Sequence, residues 1–144
     1  MAHFVTTVKT SLSPEEAFDY MTDLTNLSDW DPGVSSSEKV GTGDVEKGSA
    51  FDVVASGAKL TYVMIEFDRP TRAIAEANTS RLRSYDVISI EPTEDGSIVT
   101  WDATLTLKGV FKLAAPLLAL MFDRIGAKAE AGLQAALPDA VTVG

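Results

Sequence analysis

Residues 3–10, HFVTTVKT, set Phe4, Thr6 and Val8 on one face against Val5, Thr7 and Lys9 on the other, and their β-branched content predicts a strand. The period then changes. Ser13 is placed to cap a helix, Pro14 occupies the first helical position where its missing N–H costs nothing, and Glu16 completes a capping box. Ala17, Phe18 and Met21 fall on one face of that helix, with Glu15, Glu16 and Asp19 near its N-terminal dipole or in water. A second helical turn is expected over about Asn26 to Trp30, stopped by Asp31-Pro32-Gly33 because the residue before proline avoids the helical region.

From Val34 to about Leu107, short segments rich in β-formers alternate with turn signals at the spacing of an antiparallel meander. Strands are predicted near 34–41, 49–55, 59–67, 72–79, 82–91 and 98–107. Asp95-Gly96 is the best hairpin signal among the breaks, since glycine tolerates the positive φ of a tight turn. After Gly109 an alanine- and leucine-rich run predicts one long helix, its apolar face passing through Leu113, Leu117, Met121, Ile125, Ala129, Leu133 and Leu137. Pro116 marks a kink or a late start. A meander of this length curls, and a long amphipathic helix is its natural cover, with the two short helices plugging one open end.

The length of 144 residues is that of one domain spanning 1–144, and the 45% hydrophobic and 23% charged fractions are those of a soluble globular protein. No run approaches the roughly eighteen apolar residues of a membrane span, and MAHFVTTVKTSLS lacks the regions of a secretory signal, so a cytoplasmic protein is expected. A net charge of −9 without a basic cluster argues against nucleic acid as a partner, and against an anionic membrane surface. Without cysteine, disulfides, thiolate zinc sites and cysteine nucleophiles are excluded. The single histidine, His3, lies too near the terminus for a general base, and no carboxylate spacing matches a calcium loop or a facial triad, so neither metal nor cofactor is expected. GTGDVEKG lacks phosphate-loop spacing and reads as a hairpin loop.

The order of elements, the segment SPEEAFDYMTDLTNLSDWDPGV, the DRPTRAIAE hairpin, the LTLKG strand end and the closing AGLQAAL resemble the polyketide cyclase/dehydrase and lipid-transport superfamily. This is the START-like group that also holds the birch-type pollen allergens. The resemblance implies an α+β helix-grip fold: a curved seven-stranded antiparallel sheet around a long C-terminal helix, two short helices after strand one, and a hydrophobic cavity between sheet and helix. It also leaves function open between ligand carriage and cyclase or dehydratase chemistry.

Side-chain parity proposes which residues face such a cavity. Val99, Trp101, Ala103, Leu105 and Leu107 form the inner face of the last strand, and a two-residue Asp95-Gly96 turn pairing Glu94 with Ser97 carries Leu82, Ser84, Asp86, Ile88 and Ile90 inward as well. An inward Asp86 must be hydrogen-bonded or protonated, which suits orienting a hydroxyl or acid–base work, whereas a one-residue bulge would turn it to solvent. Ala73, Ala75, Ala77 and Thr79 face inward by the same parity, leaving room for a ligand or for close packing beneath Leu117, Leu120 and Met121. Register across DRPT is open, so Tyr62 faces either way. Trp30 anchors its helix or lines the cavity mouth, Trp101 is core or ligand platform, and Arg124 is solvated or paired. The candidate ligand-binding set is Trp30, Tyr62, Ser84, Asp86, Trp101, Leu117 and Met121, for a small hydrophobic molecule of lipid, aromatic polyketide or isoprenoid type. The alternative uses Asp86, Tyr62 or a water as acid or base, and the protein is expected as a monomer or homodimer.

Overall fold

The structure, a computed structural model, describes residues 2–143. Strand β1 (Ala2–Thr10) leads into helix α1 (Pro14–Thr22), a 3-10 turn (Leu24–Asn26) and the short helix α2 (Leu27–Trp30). Strands β2 (Val34–Lys39), β3 (Ala50–Ala55), β4 (Ala58–Asp68), β5 (Arg72–Asn78), β6 (Leu82–Thr93) and β7 (Gly96–Leu107) follow as a meander. A 3-10 segment (Gly109–Ala114) precedes helix α3 (Ala115–Ala136), and a short β8 (Val141–Thr142) ends the described chain. All neighbours pair antiparallel in the order β2-β3-β4-β5-β6-β7-β1-β8.

Among the described residues the sheet therefore has eight strands rather than the expected seven. The addition is small: Val8 and Lys9 on the free edge of β1 pair with Thr142 and Val141, which satisfies backbone groups that β1 would otherwise leave open. The local signals of the first helix are all realised. Ser13 Oγ accepts from Glu16 N at 3.2 Å, Glu16 Oε1 accepts from Ser13 N at 3.2 Å, and Ala17, Phe18 and Met21 are buried. Phe18 meets Phe67 of β4 edge to face at 5.0 Å, fastening α1 over the sheet.

Two expectations need correction. The hairpin between β6 and β7 turns at Glu94-Asp95, pairing Thr93 with Gly96 and Pro92 with Ser97. Gly96 is in the strand because the end of β1 crosses it: a Cβ there would lie 2.1 Å from the Thr10 carbonyl oxygen. The paired positions move by two in sum, so parity survives and the inward set is unchanged. The second correction concerns the long helix. It begins at Ala115, with Pro116 in its first turn, and Leu113 (88% exposed), Leu117 (61%) and Leu120 (71%) face solvent. The expected face holds from Ile125 through Ala129, Leu133 and Leu137, while in the first half Leu118 and Phe122 turn inward in place of Leu113 and Leu117.

Glycine explains where the helix comes closest. A Cβ on Gly132 would lie 1.8 Å from the Trp30 carbonyl oxygen, and one on Gly126 would lie 2.4 Å from the Phe4 ring. Only hydrogen fits at these two crossings.

Candidate functional site

A cavity of about 310 Å³ lies between the inner face of the sheet and α3. Leu27, Trp30, Asp31 and Val34 wall one end, and β3, β4, β6, β7 and β1 supply the floor. Leu118, Met121, Phe122, Ile125, Gly126 and Ala129 of α3 close over it. Most of the lining is apolar, as in small-molecule sites generally.

The polar groups converge from neighbouring strands. Tyr62 on β4 and Ser84 on β6 both pair with Ala77 on the intervening β5, so the three side chains stand in a row on one face. Because the middle member is only a methyl group, the Tyr62 hydroxyl passes over Ala77 and meets Ser84 Oγ at 2.7 Å. Ser84 Oγ donates to Asp86 Oδ1 at 3.4 Å, which makes Tyr62 the donor to Ser84 in a chain ending on the carboxyl. Asp86 is 7% exposed, and Ser84 is the only hydrogen-bond donor to its carboxyl among the described residues.

Burial is the main influence on Asp86 and pushes its pKa up to about 7. The Ser84 hydrogen bond opposes the shift, while Asp31 and Asp102 add to it. Asp31 is raised by burial too, against the pull of the Gly33 N–H that its Oδ1 accepts at 2.9 Å. Burial and the nearby Asp86 carboxyl hold the Tyr62 phenol well above its ordinary range. Thr6 also lines the cavity and donates to the Glu130 carboxylate of α3. Among the described residues no lysine, arginine or histidine belongs to the lining.

Six of the seven sequence-selected residues, Trp30, Tyr62, Ser84, Asp86, Trp101 and Met121, line this one cavity. Leu117 does not; its place is taken by Leu118, one residue and about 100° further round the helix. Asp86 faces inward without an intervening bulge in the β6–β7 pairing. Tyr62 is inward because the irregularity in the β4–β5 ladder falls beyond it, at Ile65. Trp30 joins both readings, since it is buried in the core, lines the cavity and meets Trp101 edge to face at 5.2 Å. Ala73, Ala75 and Ala77 are fully buried in the core cluster with Phe18 and Met21 and lie outside the cavity lining, so they serve close packing. Arg124 is exposed, and His3 pairs with Asp102 at 2.6 Å away from the cavity.

Asp31 also lines the cavity, although in the sequence Asp-Pro-Gly reads only as a helix stop. The motif does carry an Asx-turn signal, which the Asp31–Gly33 bond realises, but its orientation toward the cavity depends on where α2 docks. A second, more open depression of about 440 Å³ lies beside α1, between Asp19, Thr22, Asp23, Asp44, Val45, Phe67 and Arg69. It is larger but polar, and its one cation is already engaged by Asp19 at 2.8 and 2.9 Å. The apolar cavity is the better candidate for a binding site on that chemistry.

An antiparallel sheet closed by a long C-terminal helix over an apolar cavity defines the helix-grip class of START-like proteins. The chain belongs to the polyketide cyclase/dehydrase and lipid transport family, whose profile matches residues 1–137. Among solved structures it is similar to the protein XoxI from Bacillus cereus, with 22% identity over 96% of this chain and 97% of that one, at a TM-score of 0.66. A START superfamily protein from Mycobacterium smegmatis shares 14% identity over 91% of this chain and 99% of that one, at a TM-score of 0.59. Ara h 8.0201 shares 18% identity over 90% and 95% of the two chains, at 0.57. These likenesses establish the fold. No curated protein matches the chain in sequence. Among the described residues no helix is long and apolar enough to cross a membrane.

Proposed function

We propose that residues 1–144 form one ligand-binding domain that holds a small, largely apolar molecule of lipid, aromatic polyketide or isoprenoid type between the sheet and α3. The observation that carries this reading is the cavity itself: about 310 Å³, apolar on most sides, with Tyr62, Ser84 and Asp86 chained together on its floor. Binding is driven by burial of ligand surface, worth about 25 cal/mol per Å² before ordering costs, and the polar chain sets orientation. The volume is near the small end of the range of roughly 300–1,000 Å³ for such sites. The net charge of −9 supports a role without nucleic acid. Native mass spectrometry of protein purified from its own host tests the reading: a retained small molecule is expected, and a crystal structure with the cavity collapsed and filled by Leu118 and Phe122 would overturn it.

A second reading is a cyclase- or dehydratase-type enzyme, favoured by one observation. Asp86 is buried, faces the cavity and titrates near neutrality, where a carboxyl can both give and take a proton. In ring closure of the aldol type it would remove a proton from carbon and return one to the new oxygen. Asp86→Asn, with the fold verified by circular dichroism, is expected to abolish turnover of a cyclisable substrate; full activity in that variant removes the assignment.

A further inference from the structure

Among the described residues, the polar groups in the cavity wall share one property: they are acids or hydroxyls, with no cation among them. Asp31, Asp86, Tyr62, Ser84 and Thr6 line the space, while no lysine, arginine or histidine does. A carboxylate or phosphate headgroup entering here would lose its water and meet two carboxyls with no cation opposite. The cavity's hydroxyls offer it little. Ser84 is committed to Asp86, the Tyr62 proton is directed at Ser84, and Thr6 donates to Glu130. Asp86, by contrast, has accepting capacity to spare, because one donor at 3.4 Å is all that reaches its carboxyl among the described residues. Ninety-three per cent of its surface is removed from bulk water, leaving 7% exposed, so a donor supplied by a ligand would replace hydrogen bonds that water cannot fully provide.

We propose that the cavity selects apolar molecules whose polar end donates hydrogen bonds, a hydroxyl or a protonated amine received by Asp86 and Asp31, and rejects carboxylate- and phosphate-headed amphiphiles. The inference rests on the binding role proposed above and adds the class of ligand. The donor end lies against the Ser84–Asp86 floor, and the apolar body runs between Trp30, Trp101 and the underside of α3.

The two donor types separate by pH. The charged or titratable groups that act on Asp86 are Asp31 after α2, Tyr62 on β4 and Asp102 on β7, the last paired with His3, while Glu130 on α3 reaches the cavity lining only through Thr6. Because burial holds Asp86 up to about 7, an ammonium head must displace its proton at lower pH, whereas a neutral hydroxyl need not. Amine affinity rises with pH up to about 7 and then levels, while alcohol affinity stays nearly flat.

The test is a matched series, octan-1-ol, octylamine and octanoate, measured at pH 6 and pH 8 by displacement of the neutral fluorophore N-phenyl-1-naphthylamine from the full chain. At pH 8 the alcohol and the amine are expected to bind at least tenfold more tightly than octanoate. The amine alone should gain several-fold from pH 6 to pH 8. In Asp86→Asn, which preserves shape, the amine should lose at least tenfold and the preference over octanoate should shrink; Arg124→Gln, at an exposed position outside the lining, should keep the preference. Octanoate binding as tightly as the other two, with the fluorophore bound normally, overturns the donor preference and leaves the cavity as a binding site. Failure of the fluorophore and of all three compounds to bind overturns both.

Discussion

The two halves of α3 are built from similar residues and end in opposite environments. Beyond Gly126 the helix is anchored: Gly132 lies against the Trp30 carbonyl, Leu133 is fully buried and Leu137 nearly so. Before it, the cavity-facing Leu118, Phe122 and Ile125 are only partly buried and Met121 is half exposed, although these side chains are at least as hydrophobic. The difference is one of approach distance. Two glycines let the second half touch α2 and β1, whereas the first half carries bulky side chains over a cavity with nothing solid beneath. A helix can be held rigidly at one end and bridge open space at the other, and hydrophobicity alone does not distinguish the two conditions.

The sharpest way to break this contrast is Gly132→Ala. A methyl 1.8 Å from a carbonyl oxygen cannot be relieved by rotating a side chain, so α3 must lift from α2, and a loss of about 3 kcal/mol is expected in denaturant unfolding. Leu133→Ala in the same half, at a fully buried site, should cost about 3 kcal/mol by the same measurement.

Across the cavity, Asp86→Asn tests the electrostatic side. A carboxyl held near 7 rather than at its ordinary 3.8 binds its proton more tightly in the folded chain, so it favours folding least where it is ionised. Stability of the native protein should therefore fall as pH rises from about 4 to about 7, and the variant should lack that fall. The limit is about 4 kcal/mol, and relaxation around the buried charge brings the expected gap at pH 8 to about 2 kcal/mol, read from unfolding curves across pH. Ser84→Ala removes the bond that holds Asp86 down and frees the Tyr62 hydroxyl. It should cost about 1 kcal/mol and move the Asp86 titration upward, followed by carboxyl chemical shifts. The smallest effect belongs to the open half: Leu117→Ala should change stability by less than about 0.5 kcal/mol, since its side chain already lies in water.

What the sequence made legible was what nearest neighbours decide. The capping box at Ser13, the alternation in β7 and the inward placement of Ser84 and Asp86 depend on spacing within a few residues, and parity tolerated an error of two positions at the β6–β7 turn. What was not legible depends on docking. In LLALMF almost every residue is apolar, so periodicity cannot choose between Leu117 and Leu118, and the phase was fixed by the contacts of Gly126 and Gly132. Those glycines were the available signal, because small residues within a helical run mark a close crossing. Tyr62 depended on where a ladder irregularity fell, and Asp31 on the seating of α2, neither of which is written in the local pattern.

The edge-to-face pair of Trp30 and Trp101 carries a practical consequence. They are the chain's two tryptophans, and both belong to the cavity wall, 5.2 Å apart. The ultraviolet emission of the protein thus originates at the cavity, without background from indoles elsewhere. Entry of an apolar guest would alter its colour and intensity directly, giving an optical gauge of occupancy that needs no label.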